Sequence, residues 1–170
     1  MKKFSKYEDQ ELVKALGQEK ALAEQAFAEL YSRYSQRIYA YILRVVGSPD
    51  DARDLYQETF LKFYNAAKGK EDMENVIGFL LTIARNLCLN FKRDKKINLD
   101  IEDYNFFTND KSYEQKELLE LIASSLETLD FEYREAFILR QYHGLSYKEI
   151  SAITGGSLSL VKNRVWRAKE

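Results

Sequence analysis

The chain has 170 residues, of which 14% are aromatic and 31% are charged, a composition that fits one mid-sized domain or two small ones and excludes disorder of the whole chain. Its formal net charge is −1, so the overall charge gives no argument for binding nucleic acid. One cysteine, Cys88, and one histidine, His143, exclude an internal disulfide and leave a Cys/His metal site without enough ligands. We therefore expect no metal and no cofactor.

The N-terminal residues, 1–20, contain no continuous apolar stretch. We therefore expect neither a signal peptide nor a membrane-spanning segment, and a cytoplasmic protein without direct membrane insertion. Cys88 lies in an apolar run with helical spacing, and its expected role is core packing.

The first predicted helix lies in the N-terminal half of the chain. Apolar residues recur at three- and four-residue steps between Ala26 and Ile42, which is the periodicity of a helix that buries one face. Gly47 is expected to end this helix, because glycine readily takes the left-handed conformation found at helix C-termini. No segment shows a convincing strand pattern, so the predicted fold class is all-α.

A second helix is predicted to begin directly after this glycine. Ser48 can cap it, Pro49 suits the first helical position, and Asp51 completes a capping-box pattern. A polar interruption at 68–75 then separates this helix from a third one at 76–93.

The helical periodicity fails over residues 94–112, where acidic and weakly helix-forming residues predominate. This segment is longer than most connections inside compact domains, so we predict two small helical domains, 1–93 and 113–170, joined by a flexible acidic linker. Ser112 begins a capping-box pattern at the start of the second domain. The helices predicted there lie near 113–127, 130–142, 146–154 and 158–169.

The last two predicted helices have the pattern of a helix-turn-helix, in which the second helix enters the major groove of DNA. Gly155 and Gly156 permit a tight turn, Ser157 can cap the second helix, and Ser146 with Glu149 forms a capping box on the first. Apolar contacts between the helices are expected from Ile150, Ile153, Val161 and Val165. An ordinary helical hairpin with a charged face fits the same pattern.

Segments 133–140, 144–150 and 159–168 resemble the promoter −35-binding domain of the extracytoplasmic-function (ECF) sigma factors. The family usually has alanine where Ser151 stands and leucine where Thr154 stands, so this chain places polar atoms at positions that normally pack. The resemblance implies that −35 DNA is bound by residues of the second helix, namely Ser159, Lys162, Asn163, Arg164, Trp166 and Arg167.

The segment from Asp54 to Lys62 is similar to the sigma segment that docks on the clamp helices of the polymerase β′ subunit. Polar residues at three- and four-residue steps give this segment one polar ridge. The resemblance implies polymerase binding by Asp54, Gln57, Glu58 and Lys62. A solvated helix face would look the same by periodicity alone.

Segment 79–93 resembles the −10 recognition helix of the family, which captures a base flipped out of the non-template strand. The loop at 68–75 would form much of the base pocket, and leucines stand at 80 and 81, near where many members carry tryptophan. The resemblance implies −10 DNA binding by Arg85, Asn86, Asn90, Lys92 and Arg93. Asn86 and Asn90 match the base-reading positions, one helical turn apart.

Together these features predict an ECF-type sigma factor that directs promoter recognition and transcription initiation and is not an enzyme. The implied partners are core RNA polymerase (β′ clamp helices and β flap), promoter DNA and an anti-sigma factor. The acidic linker would either imitate RNA inside the polymerase or serve as a solvated tether. Two other classes fit part of the sequence: a duplex-binding regulator with a ligand-sensing N-terminal domain, and a sigma-like adaptor that binds polymerase without starting transcription.

Overall fold

The computed structural model describes residues 4–70, 72–95 and 124–170, and within these ranges all regular secondary structure is α-helical. A short helical stretch, α5, occupies 124–127. The other helices are α1 (Asp9–Ala15), α2 (Lys20–Val46), α3 (Pro49–Ala67), α4 (Val76–Lys95), α6 (Phe131–Gln141), α7 (Tyr147–Thr154) and α8 (Leu158–Arg167). The all-α prediction is confirmed, while most of the predicted linker and the capping pattern at Ser112 lie outside the described residues.

Helices α2, α3 and α4 pack against one another and form the core of the N-terminal bundle. Their apolar faces are fully buried at large side chains such as Tyr41, Phe63 and Leu80. An aromatic layer joins α2 to α3, where the Phe27 ring lies 5.3 Å from the Tyr64 ring in an edge-to-face arrangement. Such pairs add to the free energy gained by burying apolar surface, which drives the bundle together.

Helix α1 was not predicted from the sequence, because it is short and its first turn is polar. Its Leu12 and Val13 are completely buried against the bundle. Asp9 fixes it to α2 by an ion pair with Arg33, at 2.9 Å, and by accepting a hydrogen bond from the Tyr34 hydroxyl. These two contacts orient a helix that is too short to be stable alone.

The helix ends follow the capping chemistry that the sequence indicates. Gly47 ends α2 in the left-handed conformation with φ 85°, and the Ser48 hydroxyl accepts a hydrogen bond from the Asp51 amide at the start of α3. Ser146 and Glu149 form the reciprocal capping box of α7. The observed bounds of α6, α7 and α8 lie within two residues of the predicted ones.

The C-terminal helices do not stand apart from the bundle. Helix α6 contacts α2, and α7 contacts α4. Ile138, Leu139 and Ile150 belong to the same continuous hydrophobic cluster as the buried residues of α2 and α4. The sequence predicted two domains but gave no indication that they pack together. In the part of the chain that the structure describes, no helix is long and apolar enough to span a membrane.

Candidate nucleic-acid interface

Helix α8 presents a polar and basic face to solvent. Its N-terminus is capped by the Ser157 hydroxyl, which accepts a hydrogen bond from the Leu160 amide at 3.2 Å. Val161 and Val165 are each 1% exposed and anchor the opposite face. Among the predicted −35 residues, the exposed ones are Ser159, Lys162, Asn163, Trp166 and Arg167.

Arg164 differs from the other predicted −35 residues because it is only half-buried at the edge of the helix. Burial raises the pKa of the Glu135 carboxyl group on α6, and the positive charge of Arg164 is one of the influences that oppose this rise.

The turn between α7 and α8 is held by the polar residues that depart from the family pattern. The Ser151 hydroxyl donates a hydrogen bond to the Gly156 carbonyl at 2.6 Å. The Thr154 hydroxyl donates to the Ile150 carbonyl at 2.8 Å and accepts a hydrogen bond from the Gly156 amide at 3.4 Å. Ser151 and Thr154 thus bind the turn to α7, and their hydroxyl groups are not left without partners.

The polar ridge on α3 has the predicted geometry. Asp54, Gln57, Glu58 and Lys62 are all exposed, while Leu55, Phe60 and Phe63 face the core. Lys62 forms an ion pair with Glu58 across one turn at 3.2 Å.

The sequence did not indicate that apolar side chains are exposed beside this ridge. Leu61 is 62% exposed and Tyr31 is 40% exposed. The Tyr31 ring lies 4.8 Å from the Phe60 ring. A surface with this mixture of apolar and charged groups is suited to binding another protein.

The predicted −10 residues on α4 fall into two groups. Asn86, Asn90 and Arg93 are exposed, as base-reading and phosphate-binding groups should be. Arg85 is only 14% exposed and forms an ion pair with Glu135 of α6. The Lys92 ammonium lies 4.7 Å from the centre of the Phe131 ring, also on α6.

Leu80 and Leu81, which stand near the family's tryptophan position, are both completely buried. They therefore belong to the core of the bundle and do not face a surface where a base could stack. Asn75, at the end of the preceding loop, accepts a hydrogen bond from the Gly78 amide through its side chain at 2.9 Å and so fixes the start of α4. Met73 anchors the same loop in the core.

The loop before α4 borders a shallow cavity of about 370 Å³ on the side facing α1. The lining carries two lysines, one of which, Lys70, lies with its ammonium 4.5 Å from the centre of the Phe79 ring. The cavity is lined by Lys14, Gly17, Gln18, Gly69 and Lys70.

Glu135 connects the C-terminal helices to the N-terminal bundle. Its side chain is 1% exposed, and its Oε1 atom lies 2.8 Å from Arg85 Nε and accepts a hydrogen bond from the Tyr41 hydroxyl at 2.8 Å. Burial raises the pKa of Glu135, and Arg85 and Tyr41 counteract that rise. Burial also raises the pKa of the Tyr41 hydroxyl, so this group remains a hydrogen-bond donor at neutral pH.

In residues 4–70, 72–95 and 124–170 no group of three or more His, Cys, Asp or Glu side chains could hold a metal ion. Among the described residues, basic side chains lie on the exposed face of α8, acidic side chains lie on α3, and Arg85 forms a buried ion pair with Glu135. The basic face of α8 is suited to contacting phosphates.

Comparison with known proteins assigns these features to a family. The Sigma-70 region 2 family matches residues 30–97, and the Sigma-70, region 4 family matches residues 119–170. The chain is 31% identical over 149 residues to RNA polymerase sigma factor YlaC of Bacillus subtilis, covering 83% of this chain and 86% of that protein. It is 30% identical over 162 residues to the ECF RNA polymerase sigma-E factor of Salmonella typhimurium, covering 86% and 84%.

Solved structures give the same result. The sigma factor RpoE of Bartonella quintana, in complex with the anti-sigma factor NepR, matches with a TM-score of 0.74 and 25% identity, covering 85% of this chain and 92% of that one. CnrH in complex with the cytosolic domain of CnrY matches with a TM-score of 0.66 and 25% identity, covering 95% and 92%.

The chain belongs to the sigma-70 family of RNA polymerase sigma factors and is of the ECF type. It acts in promoter recognition and transcription initiation. The prediction of an ECF sigma factor from the sequence motifs is confirmed. The alternative of a duplex-binding regulator with a ligand-sensing N-terminal domain is not supported.

Proposed function

We propose that the two halves of this sigma factor divide promoter recognition between them, with residues 1–93 binding polymerase and the −10 element and residues 113–170 binding the −35 element. The observation that carries this proposal is the face of α8. This helix is capped and ends the helix-turn-helix. It presents Lys162, Asn163, Trp166 and Arg167 to solvent, while its buried apolar residues lie on the opposite face. Lysine and arginine supply phosphate contacts there, and Asn163 supplies a base-edge contact.

On α4 we propose that Asn86 and Asn90 read the −10 strand, because both are exposed and one turn apart. An amide side chain offers a donor and an acceptor together, as a base edge requires. Arg93 and Lys92 would then bind the adjoining phosphates, and Arg85 would join them once it is released from Glu135.

The ridge on α3, Asp54, Gln57, Glu58 and Lys62, is our proposed docking site on the β′ clamp helices of core polymerase. Leu61 would add the apolar contact that a charged ridge alone lacks, since its side chain is exposed at the same surface. The −35 domain would in turn rest on the β flap. In this arrangement the polymerase supplies all the chemistry, and the sigma factor has no catalytic role of its own.

We also propose an anti-sigma factor as a partner, and the cytoplasm as the place of action. RpoE and CnrH are both found in complexes, with the anti-sigma factor NepR and with the cytosolic domain of CnrY. Their structures match this chain over most of its length. The exposed apolar and charged residues of α3 are the surface at which such a partner would compete with polymerase.

The deciding experiment is transcription in vitro with bacterial core polymerase and a pool of genomic promoter fragments, with and without the protein. We expect specific transcripts that are lost when Lys162 and Arg167 are both changed to alanine. Lys20→Ala, an exposed lysine at the start of α2, is the matched control and should leave the transcripts unchanged. Retained transcripts in the double variant would contradict the −35 assignment.

The same assay separates the other assignments. Asn86→Ala with Asn90→Ala should abolish transcripts while polymerase binding persists, and Glu58→Lys should abolish polymerase binding itself. Glu24→Lys, which reverses an exposed charge on α2, is the control for the second variant. Polymerase binding by the wild type without any transcript would favour the alternative of a sigma-like adaptor that does not start transcription.

A further inference from the structure

Helix α8 exposes an apolar side chain on the same strip of surface as two of its proposed −35 contacts. Leu160, in the first turn of the helix, is 42% exposed. Residues three and seven positions further along a helix lie on the same side, and these are Asn163 and Arg167, both of which are exposed. The strip proposed to bind DNA therefore begins with a leucine.

Leu158, the other exposed leucine of α8, has different neighbours. It is 38% exposed, and the residues three and seven positions further on are Val161 and Val165, which are each 1% exposed. Leu158 therefore continues the apolar strip by which α8 packs on α6 and α7. Its exposure is that of the edge of a packed face, whereas the strip that contains Leu160 is polar and basic beyond its first residue.

The turn before α8 fixes the position of Leu160. Its backbone amide donates a hydrogen bond to the Ser157 hydroxyl at 3.2 Å. One methyl group, Cδ2, reaches back over the turn, where a Cβ atom added to Gly156 would lie 3.6 Å from it. Long side chains on helices lean towards the N-terminus in this way. Because the backbone and one side of the leucine are already in contact with the turn, ordering this side chain on binding costs little conformational entropy.

The position of Leu160 in the helix-turn-helix determines which chemical group it can meet on DNA. The N-terminal residues of the second helix are those that contact base edges in the major groove. Every base pair presents hydrogen-bonding groups there, and thymine adds an apolar group, its C5 methyl. A leucine side chain can bury that methyl group but cannot form a hydrogen bond with a base edge. Lys162 and Arg167 supply the positive charge that keeps the helix on the phosphates.

We propose that Leu160 determines part of the promoter selectivity of this sigma factor by packing against the C5 methyl group of a thymine in the −35 element. This inference rests on the proposed −35 role of α8. Asn163, one turn further along, contacts a neighbouring base edge, and Lys162 and Arg167 bind the backbone. The −35 element that this chain prefers therefore contains a thymine opposite the first turn of α8.

Deoxyuridine in place of thymidine removes this methyl group and leaves the hydrogen-bonding groups of the base pair unchanged. The fragment to use is the one from the genomic pool that gives the strongest transcript dependent on Lys162 and Arg167. Thymidine is replaced only in the half that holds the −35 element, and the holoenzyme concentration for half-maximal transcription is measured. With the wild-type protein this concentration should rise about fourfold, as expected for the loss of one buried methyl group.

Leu160→Ala shortens the side chain so that it no longer reaches the methyl group. On the unmodified promoter this variant should require about four times as much holoenzyme as the wild type, and deoxyuridine should have no further effect on it. Leu158→Ala is the matched control, because it removes the same atoms from the exposed leucine on the packing strip. It should keep the wild-type response to deoxyuridine.

Leu160→Asn is a second variant in case Leu160→Ala does not fold, as judged by its circular dichroism. Asparagine is close to leucine in size but polar, so the variant keeps the volume of the side chain at the turn and loses the apolar contact. Its half-maximal concentration should also be insensitive to deoxyuridine.

An equal response to deoxyuridine by the wild type and by the Leu160 variants would overturn the inference, because the methyl groups would then act through another residue or through the shape of the DNA. A wild-type protein that is insensitive to deoxyuridine would overturn it as well, and so would loss of the response in Leu158→Ala. Failure of the proposed −35 role of α8 is distinguishable, since in that case changing Lys162 and Arg167 to alanine leaves the transcripts of every fragment unchanged.

Discussion

Arg85 Nε of α4 lies 2.8 Å from Glu135 Oε1 of α6, with 14% and 1% of the two side chains exposed. Burial of both charges opposes this pair, and burial is the largest influence on the pKa of Glu135, which is raised despite the neighbouring Arg85 and Tyr41. The pair therefore determines how the regions fit together more than it adds to stability. Removing one member should be much more harmful than removing both.

The first prediction is a double-mutant cycle on this pair. Arg85→Gln and Glu135→Gln should each lower the free energy of unfolding by about 2–4 kcal/mol, because each leaves a buried charge without a partner. The double variant should lose clearly less than the sum of the two, giving a coupling energy of about 1–3 kcal/mol. Urea unfolding followed by circular dichroism measures all four proteins.

Glu58 and Lys62 provide the control cycle, because they form an ion pair at the surface with 46% and 55% of their side chains exposed. Solvent screens such a pair, and its coupling energy should be at most about 0.5 kcal/mol. Equal coupling in the two cycles would show that the interdomain pair is no more desolvated than the surface pair.

The second prediction concerns the turn of the helix-turn-helix. Gly155 has φ 72°, a conformation that alanine adopts only at a cost of about 1–2 kcal/mol. Gly155→Ala should therefore lower the free energy of unfolding by about that amount. Gly156→Ala is the neighbouring control: a Cβ atom there meets its nearest neighbours at 3.6 Å, an ordinary contact. Its effect should stay within about 0.5 kcal/mol, and equal losses at both positions would refute the explanation by backbone conformation.

This turn shows what the sequence could predict. Gly155, Ser146 and Ser157 act on atoms a few residues away, so a local pattern contains all the information about the helix ends they form. The hydrogen bonds of Ser151 and Thr154 are also local, but a comparison with the family pattern pointed to a disturbed packing position instead. These hydrogen bonds could have been predicted from the fact that each hydroxyl can donate to a nearby backbone carbonyl.

The buried contact between α2, α4 and α6 could not be predicted in this way. Tyr41, Arg85 and Glu135 lie far apart in the chain, and each alone looks like an ordinary residue on an amphipathic helix. Arg85 even belonged to the cluster of α4 residues for which the family resemblance implied −10 DNA binding. Only the packing of α6 and α7 on the bundle reveals that this cluster divides into an exposed part and a covered part. The assignments to −10, −35 and polymerase contacts remain predictions.

The third prediction is that the Cys88 thiol is inert in the folded protein. It is completely buried, and burial raises its pKa to about 12, with a further contribution from the Glu135 carboxylate. Because only the thiolate reacts, labelling by Ellman's reagent at pH 8 should be at least about a hundredfold slower than in urea. A Lys169→Cys variant, whose added thiol is exposed, should label one equivalent rapidly under native conditions. Rapid labelling of both thiols would mean that α4 opens readily.

The last prediction is an acid-sensitivity that arises from His143. This residue is 9% exposed, its ring lies 5.9 Å from the Tyr41 ring, and neither ring nitrogen has a hydrogen-bond partner among the described residues. Burial, together with the positive charges of Arg37 and Arg44, lowers its pKa from 6.5 to about 4. Between these two values the unfolded chain binds a proton that the folded protein does not.

The free energy of unfolding should therefore fall as the pH is lowered from 6.5 towards 4, by up to about 3 kcal/mol through this group. Glu135 has a raised pKa and acts in the opposite direction, since its contribution to stability is lost as the pH rises. Because Glu135 is present in both proteins, the difference between wild type and His143→Leu isolates the histidine. The variant should lose less stability on acidification, as measured by urea unfolding at several pH values across this range. Parallel pH profiles for the two proteins would show that His143 binds a proton as readily in the folded protein as in the unfolded chain, and hence that the contact between α2 and the loop after α6 is open to water.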